Sequence, residues 1–159
     1  RDSPRLEPNV LEAIIELSLP LINWDSIDII LGIEAMGLPL MAPLSMRTGI
    51  PMVIARKRQY GLEGEVEINQ ETGYSKGSIF LNDTKPGEKI AIIDDVLSTG
   101  GTMRSVIEGV KKTGAVIENI VIVVEKGPGM ELLQQDYPNI KFDSIVKLEM
   151  DGEKVVILD

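Results

Sequence analysis

Neither cysteine nor histidine occurs among the 159 residues of this chain. Without cysteine there is no disulfide framework, no thiolate-bound zinc and no thiol nucleophile. Without histidine there is no imidazole metal site, no imidazole general base and no Ser-His or Cys-His hydrolase. Aromatic residues make up only 4%, so the core must be built from Ile, Val, Leu and Met. Long apolar runs are missing too, and none approaches the roughly 20 residues that span a bilayer. Positive charge is scarce: 16 Lys and Arg face 25 Asp and Glu, for a net charge of −9. A nucleic-acid or anionic-membrane partner is therefore not expected. The chain starts at Arg1 rather than at a methionine, and nothing after it reads as a signal peptide. The lack of cysteine fits a cytoplasmic protein.

What is present is ordinary globular composition, 43% apolar and 26% charged, which suits a single domain over residues 1–159. Short β-branched apolar runs stand at 27–33, Met52–Ala55, 90–93, 120–124 and 155–158. Strands of this kind fit a parallel sheet buried on both faces. Helical patterns lie between them at 8–19, Leu38–Thr48 and 102–112, with Gly49 and Gly114 as stops. In the second, Pro39 and Pro43 are compatible only near the helix start. The alternation predicts an α/β fold with a doubly wound, mainly parallel sheet. Ligands of such sheets bind beyond the carboxyl ends of the strands. The segment 56–76 breaks the pattern with a charged, glycine-bearing excursion, and alternation over 65–68 predicts a hairpin strand within it.

The chemistry concentrates at IAIIDDVLSTGGT, residues 90–102. An apolar strand ends in two carboxylates, Asp94 and Asp95. A turn of Ser98, Thr99, Gly100, Gly101 and Thr102 follows, and a helix starts there. Such a turn presents backbone N–H groups at a helix N-terminus, a nest for phosphate. The carboxylates suit the hydroxyls of an adjoining sugar, or a magnesium ion, better than the phosphate itself. Phosphate plus diol reads as a ribose phosphate. A capped helix after a polar strand end would explain a lone acidic pair, but not the whole pattern. The Walker and GxGxxG phosphate loops are absent, and a receiver domain would carry its paired acids nearer the N-terminus.

This stretch resembles the phosphoribosyl pyrophosphate (PRPP) signature of the type I phosphoribosyltransferases, and the resemblance extends over nearly the whole chain. Glu34, Ala35, Met36 and Gly37 look like the family's pyrophosphate loop, which carries a non-proline cis peptide. Arg56, Lys57 and Arg58 resemble its pyrophosphate-facing cluster. Residues 56–78 fall where the family has its flexible lid, with Tyr74 and Lys76 matching lid positions. Residues 1–20 and the C-terminal end fall at the hood, part of which is expected before Arg1. The joint pattern IEAMG, RKRxYGLEGEV, TGYSKG and IDDVxSTGGT is most similar to the archaeal purine salvage branch. The resemblance implies displacement of pyrophosphate from PRPP by a purine nitrogen, with Mg2+ carried on PRPP. Asp94 and Asp95 would hold the ribose and the metal. Arg56 and Lys76 would assist departure of pyrophosphate. Val96, Leu97 and Lys126 would meet the base. A homodimer or larger homo-oligomer is implied as well.

Two positions bear on which base is used. Ser98 stands where 6-oxopurine enzymes of the family carry an aspartate, which favours adenine. Lys126 stands where those enzymes place a donor to the exocyclic oxygen, which favours hypoxanthine and guanine. The lid glutamate of adenine enzymes is not matched, since Gly73 precedes Tyr74. The balance leans to hypoxanthine/guanine, with adenine as the alternative. The second alternative is a non-catalytic PRPP-sensing regulator, disfavoured by a lid that bears Tyr and Lys. A PRPP synthetase-like or pyrimidine enzyme ranks below both.

Overall fold

In the computed structural model, which describes residues 5–71, 76–151 and 154–158, the chain forms eight strands and four helices. The strands are β1 (Ile29–Ile33), β2 (Met52–Ala55), β3 (Val66–Glu71), β4 (Lys76–Leu81), β5 (Lys89–Leu97), β6 (Val116–Lys126), β7 (Lys141–Asp151) and β8 (Lys154–Leu158). The helices are α1 (Pro8–Ser18), α2 (Leu38–Thr48), α3 (Gly101–Lys112) and α4 (Gly129–Asp136). Six strands make one sheet in the order β2-β1-β5-β6-β7-β8. Pairing is parallel from β2 through β7, and only β8 runs antiparallel, at the far edge. The doubly wound, mainly parallel expectation therefore holds, while the run at 155–158 is an antiparallel edge strand. β4, β7 and α4 were not predicted from the sequence.

Burial explains the unbroken apolar runs. Every residue of β1 is buried, because both faces of the sheet are covered. One face carries α3 and α4, with Ile92, Ile107, Ile120 and Leu133 in its core. The other carries α1 and α2, with Ile15, Met41, Leu44 and Val121. Helix α1, in the region where a hood was expected, lies in that second layer through Ile15. Helix α2 starts with Pro39 in its first turn, yet Pro43 lies inside it. That ring has no N–H for the Pro39 carbonyl, so the helix continues with one bond fewer.

The excursion after β2 is a hairpin of β3 and β4, paired antiparallel from Val66–Leu81 to Glu71–Lys76. Its root is part of the core: Ile68 is 5% exposed and Ile79 2%. Ile68 lies over α3 at Gly109, where a Cβ would come within 2.4 Å of its Cδ1. Arg56 and Phe80 exchange backbone bonds, tying the end of β2 to β4. Ile68→Ala is expected to cost about 2–5 kcal/mol, as for other buried Ile truncations. Urea unfolding measures it, and a loss under half a kcal/mol would mean the root is not packed this way. Among the described residues no helix is long and apolar enough to cross a membrane.

Candidate active site

The carboxyl end of the parallel sheet gathers three loops, those after β1, β2 and β5. The first is a tight turn between β1 and α2. It contains a cis peptide between Glu34 and Ala35, the feature that the family resemblance implied. Glu34 N–H donates to the Ala55 carbonyl (2.9 Å) and Gly37 N–H to that of Ile33 (3.2 Å). Gly37 lies against strand backbone: a Cβ there would be 3.0 Å from both Ile33 N and Ile33 O and 3.3 Å from Ile93 O. A side chain at this position would require the strand backbone or the loop to give by a few tenths of an ångström. Met36 projects outward, 59% exposed.

The second loop follows β2 and is bound to the first. Lys57 N–H donates to Glu34 Oε2 at 2.8 Å, which ties the basic cluster to the Glu34 loop. Lys57 and Arg58 are exposed. The Arg56 guanidinium lies 4.9 Å above the Tyr60 ring and donates to the Tyr60 hydroxyl. It lines a cleft of about 330 Å³ on the outer side of β2, with Met52, Leu62 and Asn82. Here Arg56 engages Tyr60 rather than the other site loops. Glu65 holds the intervening turn by accepting from Tyr60 N–H (3.0 Å), Gly61 N–H (3.2 Å) and Asn82 Nδ2 (3.0 Å). These bonds lower its carboxyl pKa. Lys76 begins β4, and Tyr74 lies outside the described residues.

The third loop carries the acidic pair. β5 runs to Leu97, so Asp94 and Asp95 are strand residues near its end, and Asp94 lines the recess there. Asp95 N–H donates to Asp94 Oδ1 at 2.9 Å. Burial is the main cause that pushes the Asp94 carboxyl up to about 7; the Asp95 amide opposes it and the Asp95 charge adds to it. Beyond the pair, the chain turns through Ser98, Thr99 and Gly100, whose φ is +84°. Helix α3 then starts at Gly101 with no side-chain cap. Gly101 N–H donates to Thr99 Oγ1 at 3.5 Å, a long bond, and a helix start leaves its first-turn amides without intrahelical acceptors. They border a recess of about 80 Å³ lined by Asp94, Val96, Leu97 and residues 98–103. Uncapped amides and the helix dipole give this recess the electrostatics that suit an anion.

A wider cleft of about 460 Å³ adjoins this recess, sharing Ser98 and Thr99 and adding Lys126, Gly127, Pro128 and Glu149. Lys126 is exposed at the end of β6. Of the residues expected beside a base, Val96 is 41% exposed and available. Leu97 departs from expectation. It is 3% exposed and belongs to the core with Met103, Met130 and Leu133, because burying its apolar side chain under α3 and α4 outweighs presenting it to the cleft. Sequence reasoning missed the Gly127-Pro128-Gly129 turn, whose Gly129 N–H donates to the Ser98 carbonyl at 3.0 Å. No three His, Cys, Asp or Glu side chains converge on a metal position among the described residues.

An α/β sheet that gathers a helix N-terminus, a carboxylate pair and a basic loop at one end has the layout that suits a ribose-phosphate ligand. The chain belongs to the phosphoribosyl transferase domain family, whose model matches residues 3–155. It is 45% identical over 97% of its length to a hypoxanthine/guanine phosphoribosyltransferase of Methanocaldococcus infernus, covering 84% of that protein. It is 43% identical over 98% of its length to one of Methanotorris igneus, again covering 84%. Among solved structures it is similar to the adenine phosphoribosyltransferase of Thermoanaerobacter pseudethanolicus. There the TM-score is 0.75 and the identity 23%, over 89% of this chain and 82% of that one. At that identity the likeness speaks for the fold alone.

Proposed function

We propose that this protein is a purine phosphoribosyltransferase acting on hypoxanthine and guanine, making the nucleoside monophosphate and pyrophosphate from the base and PRPP. What carries this reading is the joint presence of the uncapped α3 nest and the Asp94–Asp95 pair, in a chain whose archaeal relatives bear that name. In the reaction a purine ring nitrogen bonds to the ribose anomeric carbon as the bond from that carbon to the pyrophosphate oxygen breaks. The purine loses a proton. The nest holds the 5′-phosphate, and the carboxylates orient the ribose hydroxyls and face the positive charge that develops on the ring. Lys57, Arg58, Arg56 released from Tyr60, and Lys76 supply countercharge for the leaving group. Val96 and Lys126 border the base, and Leu97 contributes its backbone. Lys126 donates to an exocyclic oxygen, which hypoxanthine and guanine have and adenine lacks.

Two adjacent carboxylates fit a Mg2+ ion that arrives with PRPP, because magnesium commonly takes one or two carboxylates and completes its shell with substrate oxygens and water. Bound there, the ion would neutralise pyrophosphate charge as it departs. Self-association belongs to the same proposal and is read by sedimentation. The test of function is monophosphate formation from Mg2+, PRPP and each purine. Product with hypoxanthine and guanine supports the reading. Product with adenine alone would favour the alternative to which Ser98 points. No product with any of adenine, hypoxanthine, guanine or xanthine would overturn the enzyme.

A further inference from the structure

The loop that forms the phosphate nest does not stand alone. It rests on the turn after β6. Gly129 N–H donates to the Ser98 carbonyl at 3.0 Å. A Cβ at Gly129 would fall 2.3 Å from Ser98 O, 2.6 Å from Thr99 C and 2.8 Å from Gly100 N. All three are backbone atoms, so no side chain can swing aside to make room. From the other side, Gly100 has the Gly129 carbonyl 3.4 Å and Leu133 Cδ1 3.3 Å from the place of its own missing Cβ. The two backbones are therefore in mutual contact over Ser98, Thr99 and Gly100. Gly127, with φ +75° and the Ser98 carbonyl 3.6 Å from its Cβ position, closes the same contact.

We infer that Gly129, with Gly127, is a positioning residue that sets the shape of the phosphate nest and couples it to the Lys126 side of the cleft. The hydrogen bond turns the Ser98 carbonyl inward onto the turn. That leaves the amides after it free to point at an anion. The same turn directly follows Lys126, and both loops line the 460 Å³ cleft. A ribose phosphate seated in the nest and a base beside Lys126 are thus registered to each other through one backbone contact. The inference deepens the phosphoribosyltransferase reading and rests on it.

Isothermal titration with ribose 5-phosphate reads nest binding without any base or turnover. For Gly129→Ala, the affinity is expected to fall by about tenfold or more, with a matching rise in KM for PRPP, since displacement of a positioned group by about 1 Å has effects of that order. Gly127→Ala is expected to act in the same direction by about threefold. Gly114→Ala places a Cβ 3.1 Å from Pro86 at the opposite end of β6. It is expected to lower Tm while leaving ribose 5-phosphate affinity within about twofold, as a distant independent site should. If Gly129→Ala is folded by circular dichroism and binds within about twofold of the parent, the inference fails. If that variant does not fold, unchanged binding by Gly127→Ala overturns it instead. A parent protein that neither binds ribose 5-phosphate nor turns over any purine overturns the functional reading itself, a different result from a parent that does both.

Discussion

Asp94→Asn with Asp95→Asn is expected to reduce turnover by about a thousandfold or more, the scale of removing preorganised charge from where the transition state needs it. The amides keep the shape and the Asp95 N–H contact to residue 94, so the fold should survive. Steady-state assays with saturating PRPP measure the loss, and activity within a few-fold of the parent would refute the assigned roles. The pH dependence has a defined sign. Asp94 titrates near 7 in the folded protein against 3.8 for the ordinary group. Between those values the native state keeps a proton that the unfolded chain releases. Stability therefore falls as pH rises from about 4 to about 7. In metal-free buffer, Asp94→Asn alone should raise Tm at pH 8 and give no gain near pH 4. Equal gains at both pH values would contradict the burial of that carboxyl. Catalysis runs the other way: kcat/KM of the parent should rise through pH 7 as Asp94 ionises to accept ribose hydroxyls.

Gly37→Ala is the second large effect expected. The new methyl would stand 3.0 Å from Ile33 N and O, and neither strand atom can yield without disturbing β1. The Glu34–Met36 turn must lift instead, and through the Glu34–Lys57 bond it moves the basic loop with it. The expected loss in kcat/KM for PRPP is about a hundredfold. The Tm should drop by only a few degrees, as for modest overpacking. A variant with parental kinetics would show that the turn does not serve the leaving group.

Much of this was legible in the chain itself. The strand–turn–helix at 90–102 was readable because apolar run, acids and small turn residues switch sharply. α2 was readable at its true bounds because Pro39 and Gly49 punctuate it. β7 was not, since KFDSIVKLEMD carries a charge or hydroxyl at about every second position, as a strand near the sheet edge does. α4 escaped because its eight residues start with glycine after a proline, a signature shared with turns. Leu97 was expected beside the base from the family resemblance alone, and the motif does not encode its packing with Met103, Met130 and Leu133. The Gly129 contact could not be read at all: it joins residues about thirty apart that only the β5–β6 pairing brings together.

The rooted hairpin has an entropic consequence. Ile68 is wedged at Gly109, and Phe80 is laced to Arg56. Those positions have already given up their conformational freedom in the unliganded protein. Ordering the backbone of a residue costs about 1–2 kcal/mol, so each root residue fixed in advance spares that much from the free energy of binding. The antiparallel pairing from Val66–Leu81 to Glu71–Lys76 carries the same saving along both strands of the hairpin.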